Sequence, residues 1–107
     1  MSNEQSVPSI WVKGQITNLV VMADNWGVPN PGGLSFLFIY MNELPGTPDG
    51  SYNRVAIRGD HPSYNSVLQF AISAVATKST IALRYIPTTT THSTAWDFSQ
   101  LAFDVAN

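Results

Sequence analysis

The sequence predicts a mainly β domain with one helix, and three observations lead there. β-Branched and aromatic residues gather in five short runs, stretches dense in Pro, Gly and Asn separate them, and a single segment repeats its apolar residues at helical spacing. With 107 residues, 44% of them apolar, the chain can close one hydrophobic core and not two, so residues 1–107 read as one domain with residues 1–8 as a flexible N-terminal segment.

Residues 10–23 (IWVKGQITNLVVMA) open the β structure. Ile10, Val12, Gly14 and Ile16 share one alternation while Leu19 and Val21 share the other, so the spacing predicts a bulge or sharp coil between Gly14 and Asn18. Residues 26–33 (WGVPNPGG) form a loop. Residues 34–41 (LSFLFIYM) are a nearly continuous apolar run of strand length, and after a second Pro/Gly loop residues 52–58 make a short strand.

Asp60, His61, Pro62 and Ser63 open the helix, with Asp60 or Ser63 able to cap and the proline tolerated in the first turn. Tyr64, Val67, Leu68, Ala71, Ile72 and Val75 then recur at helical spacing and predict the buried stripe. Residues 80–86 alternate as a strand ending at Pro87. In residues 95–105, Trp96 and Phe98 follow one phase and Leu101, Phe103 and Val105 the other, which predicts a second bulge. The resulting order, β-β-β-α-β-β, is that of the five-stranded OB-fold barrel.

Charge and composition narrow the function. Only 11% of residues are charged, against roughly 25% in ordinary domains. The five cations, Lys13, Arg54, Arg58, Lys78 and Arg84, never cluster, which disfavours nucleic acid as a partner, because phosphate binding draws its affinity from grouped cations. Cysteine is absent, so disulfides and thiolate metal sites are excluded, which fits a reducing compartment. The opening MSNEQSVPS lacks the basic and apolar regions of a secretory signal, and no apolar stretch approaches a bilayer span. On that basis the chain is expected in the cytoplasm or exported by a non-Sec route.

Residues 61–77 contain no Lys, Arg, Asp or Glu. The positions expected to face outward are Ser66, Gln69, Phe70, Ser73 and Thr77 with Asn65, flanked by Ala74 and Ala76. Charge depletion around an aromatic is the composition of interface cores, so this face is read as a contact between copies of the chain. The other reading is a weakly charged helix on a weakly charged protein, with Phe70 a scattered exposed apolar residue.

No catalytic constellation stands out. A nucleophile beside a base, or two acids in different environments, is required. His61 and His92 read as surface loop residues without metal-ligand spacing, and Asp24, Asp49, Asp60, Asp97 and Asp104 read as turn or strand-end residues. Gly32 and Gly33 lack the lysine and strand-to-helix context of a phosphate loop. The chain is therefore expected not to be an enzyme and to need neither cofactor nor metal. What remains are loop aromatics and small polar residues suited to a sugar, whose C–H faces stack on rings and whose hydroxyls bond amides and hydroxyls. The candidate glycan contacts are Asn25, Trp26, Tyr52, Thr88, Thr89, Thr90 and Thr91, whereas Trp11 and Trp96 are expected in the core.

The stretch HPSYNSVLQFAISAVATKSTIALRYI, with the polar loop, Trp96 and final apolar strand after it, resembles the C-terminal half of the binding subunits of AB5 toxins of the subtilase-cytotoxin and typhoid-toxin type. The shared features are a helix of S-x-x-L-x-x-A form, a short turn and a strand of V-x-I/L-x-Y character, echoed here by Ser66 to Gln69, Ala71 to Ala74, Thr77 to Ser79 and Ile81 to Tyr85. The resemblance implies an OB-fold, a pentamer with its helices lining a central channel, a catalytic A-type partner chain and recognition of cell-surface glycans. Two features depart from it. The family's disulfide has no counterpart, and its glycan-contacting serine falls on Val12, beside Lys13. The leading expectation is thus a glycan-binding ring subunit. A scaffold without a small ligand and a single-stranded nucleic-acid module are the alternatives, the latter disfavoured by the scattered cations.

Overall fold

The computed structural model describes residues 8–22 and 35–104. Their order is β1 (Ile10–Gly14), β2 (Asn18–Met22), β3 (Phe36–Tyr40), β4 (Arg54–Arg58), α1 (Tyr64–Thr77), β5 (Ile81–Ile86) and β6 (Asp97–Phe103). The fold is mainly β, as expected, but six strands replace the five anticipated. They form two antiparallel three-stranded sheets, β1-β5-β6 and β2-β3-β4.

The added strand comes from the first phase change. Residues 15–17 break the long opening run, and its halves join different sheets: β1 runs along β5 from Ile10↔Tyr85 to Gly14↔Ile81, while β2 runs along β3 from Asn18↔Tyr40 to Met22↔Phe36. Gly14 lies under the Glu43 carboxylate, where a Cβ has no room unless that side chain swings away. The Thr17 N–H already donates to the Tyr40 carbonyl at 2.8 Å, so the crossing between sheets takes three residues. The second phase change is a bulge. Arg84 faces Gln100 but Tyr85 faces Phe98, which leaves Ser99 as an extra residue in β6.

Among the described residues the sheets do not close into a continuous barrel. Between β4 and β6 the described residues hold an isolated parallel bridge, Val55↔Trp96, in which the Ala56 N–H donates to the Trp96 carbonyl at 3.1 Å and the Trp96 N–H to the Arg54 carbonyl at 3.0 Å. The core fills the space between the sheets with Leu37, Ile39, Val55, Ile81, Leu83 and Trp96, and Ala71 and Ala74 of α1 seal one end. The Trp96 Nε1–H donates to the Pro45 carbonyl at 2.9 Å, the partner a buried indole needs. Trp11, expected in the core, lies instead on the outer face of β1 and keeps 47% of its surface exposed, because the β1–β5 register turns Val12 inward.

The helix is also rotated from expectation. Tyr64, Val67, Leu68, Phe70, Ala71 and Ala74 face the core, while Ile72 and Val75 stand 53% and 43% exposed. Phe70 is no outward residue: its ring packs 4.3 Å from that of Phe103. Ser63 occupies the N-cap position without a side-chain capping bond, and Asp60 pairs with Arg58 instead of capping. No described helix is long and apolar enough to cross a membrane.

Candidate functional site

β3 is apolar on both faces, and both are covered. Leu37 and Ile39 point into the core, while Phe36, Phe38 and Tyr40 line the other side of the sheet. Residues 87–95 fold over that second side. His92 is the plug: its ring meets Phe36 and Phe38 edge-on, at 4.9 and 5.1 Å between centroids.

Two polar anchors hold the loop. Arg54 of β4 is sandwiched, its guanidinium carbon 4.0 Å from the Phe38 ring centroid and 4.1 Å from that of Tyr52. From there Nε donates to the Thr94 carbonyl at 3.1 Å, Nη2 to the Thr94 hydroxyl and Nη1 to the Tyr40 hydroxyl. At the other end the Thr91 N–H and hydroxyl both donate to the Asp97 carboxylate, at 3.0 and 2.9 Å, and the Asp97 N–H donates to the Thr89 carbonyl at 3.2 Å.

Between this loop, the Ser99 bulge and the start of α1 lies a cleft of about 620 Å³. Its floor is apolar, built from Phe36, Ile57, Val67 and Phe98, and its rim is polar, with Ser63, Thr91, His92, Asp97 and Ser99. Arg58 and Asp60 close one side as a two-point pair, Nε to Oδ1 at 3.1 Å and Nη2 to Oδ2 at 2.8 Å. That guanidinium holds the Asp60 carboxyl below its usual range. His61, at the same end, accepts the Ser63 N–H on Nδ1 at 2.9 Å. Among the described residues no group of three or more His, Cys, Asp or Glu is placed to hold a metal ion.

Of the residues singled out from sequence, Thr91 lines the cleft. Thr88 and Thr89 are exposed and Thr90 half-buried on the loop behind it, and Tyr52 lies on the far side of Arg54. Asn25 and Trp26 lie outside the described residues. Of the residues assigned to an intersubunit face, Ser66, Gln69, Ser73 and Thr77 are exposed, but Ala74 is buried and Phe70 packs inward. Sequence reasoning missed Phe36, Arg54, Arg58, His92 and Asp97 as members of one site. One signal was present: residues 34–41 do not alternate, and a strand apolar on both faces must be covered on both.

The plug is expected to make stability pH-dependent. Burial, then the nearby Arg54 charge, holds the His92 imidazole below its ordinary value of 6.5, and Asp49 opposes this in part. Its Nδ1 also takes the Thr94 N–H at 3.3 Å and lies 2.8 Å from the Thr94 hydroxyl, contacts that suit the neutral ring. A base whose folded pKa is depressed contributes stability that is complete above its unfolded pKa and falls as pH drops from there toward the folded pKa. Acidifying from about pH 7.5 to about pH 5 is therefore expected to lower the wild-type melting temperature more than that of His92→Gln. Parallel curves for the two proteins would reject this role.

Comparison with protein-family models and with curated proteins finds no match to the chain.

Proposed function

We propose that the chain is a non-catalytic, self-associating subunit that binds a carbohydrate in the cleft beside residues 87–95. The observation that carries this is the composition of the cleft: an apolar floor that includes two phenylalanines, surrounded by hydroxyls and by the carboxylates of Asp60, paired with Arg58, and Asp97. Such a surface stacks on the C–H face of a sugar ring while Asp97 accepts, and Ser63, Thr91 and Ser99 exchange, hydrogen bonds with its hydroxyls. Asn25 and Trp26 are further proposed contacts. Phosphate-rich polymers suit the cleft poorly, since Arg58 is already paired with Asp60 and Asp97 adds negative charge.

In this reading the two sheets are halves of a five-stranded OB-fold in which β1 and β2 are one bent strand. The parallel bridge between Val55 and Trp96, joining the strand before the helix to the last strand, supports it. The charge-free helix with Ile72 and Val75 exposed supports self-association, as a ring of five copies if the toxin-subunit resemblance holds, with room for a catalytic partner chain. A scaffold that assembles through the same apolar face and binds no small ligand is the second reading.

A glycan array probed with the wild type and with Asp97→Ala tests the proposal. Saturable binding that weakens about tenfold or more in the variant is the expected result. An array with no saturable spot sinks the carbohydrate reading, and binding unchanged in Asp97→Ala removes it from the cleft.

A further inference from the structure

Among the described residues the cleft holds one charge without a counterpart. Arg58 and Asp60 neutralise each other at one end through their two-point pair. His61 and His92 each accept a backbone N–H on Nδ1, from Ser63 and Thr94, so neither ring is doubly protonated in this geometry. Asp97 is different. Its Oδ1 accepts the Thr91 N–H at 3.0 Å and its Oδ2 the Thr91 hydroxyl at 2.9 Å, both neutral donors. The ion pairs of the described residues are Lys13 with Asp104 and Arg58 with Asp60, and Arg54 spends its donors on Thr94 and Tyr40, so no cation there compensates the Asp97 carboxylate. Each oxygen keeps a free lone pair, on a group that Thr91 holds in one orientation. Phe98, the next residue, and Phe36 set two rings in the floor of the same cleft. The cation–π contacts of the described residues belong to Arg54 and Arg84 and involve neither of these rings.

We propose that the cleft selects an amino sugar with a free ammonium group, such as a glucosamine unit, and that Asp97 is the residue that recognises the ammonium. This rests on the carbohydrate reading of the cleft and adds the charge of the ligand to it. A sugar hydroxyl can also donate to Asp97, but an ammonium brings the opposite charge together with the donor, and apolar walls screen that attraction less than open water does. Its three N–H groups reach both carboxylate oxygens and a rim hydroxyl. The electron-rich faces of Phe36 and Phe98 favour the cation further, while the C–H face of the sugar ring uses the same apolar floor. An N-acetylated sugar carries the same ring with one N–H in place of three and no charge, so it loses the interaction that Asp97 offers.

The test is ligand-observed saturation-transfer NMR at about pH 7, where an amine of this kind is largely protonated. The probes are methyl glucosaminide, methyl glucoside and methyl N-acetylglucosaminide, titrated onto the wild type and onto Asp97→Asn, whose fold is checked by thermal unfolding. Expected is saturable binding of the glucosaminide, binding of the two neutral probes about tenfold weaker, and loss of that preference in Asp97→Asn. The comparison of probes on the wild type decides the charge of the ligand even where the variant does not fold. No saturable glucosaminide binding to the wild type overturns the proposal, as does equal binding of the three probes. Equal binding leaves the carbohydrate reading of the cleft in place, whereas an absence of binding by all three together with an empty glycan array removes both. Displacement by methylammonium as effectively as by the glucosaminide overturns the proposal by leaving a simple cation site, and a preference that persists in Asp97→Asn overturns the assignment to Asp97.

Discussion

Trp96→Ala is expected to destabilise the protein by about 3–5 kcal/mol, the range for emptying a buried aromatic position. For a domain of this size that lowers the melting temperature by about 15 °C or more. Trp96 does three things at once. Its side chain fills the space between the sheets and packs near Tyr85, 5.8 Å between ring centroids; its Nε1–H satisfies the Pro45 carbonyl; and its backbone makes the bridge to β4. Alanine keeps the last of these and loses the others, leaving a cavity and an orphaned carbonyl. Trp11→Ala removes the same side chain from an exposed position and is expected to cost no more than about 1 kcal/mol. Urea unfolding of both variants checks the contrast through their midpoints at unchanged slope. Equal midpoints would mean that the indole of Trp96 is not the joint between the sheets.

Ile72→Glu is expected to dissociate the native particle while leaving the subunit folded. Ile72 and Val75 lie one helical turn apart and both are exposed on a helix without charge, so their apolar surface has no cover among the described residues. A buried hot-spot residue at an interface contributes about 2 kcal/mol or more, and a carboxylate in its place adds a desolvation cost. Light scattering on a size-exclusion column should then fall from a multiple of 11.7 kDa to that mass itself. Phe70→Glu is expected to behave differently: Phe70 packs on Phe103 and on the core, so the charge unfolds the subunit instead of separating it. A wild type that is already monomeric, or an Ile72→Glu protein of unchanged mass, would remove self-association through this face.

Much of the fold was legible along the chain because its signals are local. The switch from period two to helical period placed α1, and each change of strand phase marked a real irregularity: the crossing between sheets at residues 15–17 and the Ser99 bulge. That the first irregularity was a break between strands of different sheets was not legible, because the pairing partners sit about 14 or more residues away, well beyond the local window. The site was less legible still. Thr91 belongs to it, but the residues that hold or line it, Arg54, His92 and Asp97, look like ordinary loop and strand-end residues in isolation.

The sequence by itself determined the class of the fold, the place of the helix, the points where strands bend and the absence of cysteine chemistry, since each follows from residue type and spacing within a few positions. Only the tertiary structure decided which apolar surfaces are covered. α1 carries more apolar residues than one face can bury, and the contact of Phe70 with Phe103 determines that Ile72 and Val75 are left outside. Trp11 lies within β1 and Trp96 just before β6, yet the register of β1 on β5 turns one outward and the bridge to β4 takes the other inward. Burial is a property of what lies opposite a residue, and that is set by contacts between distant segments, not by the residue's neighbours in the chain.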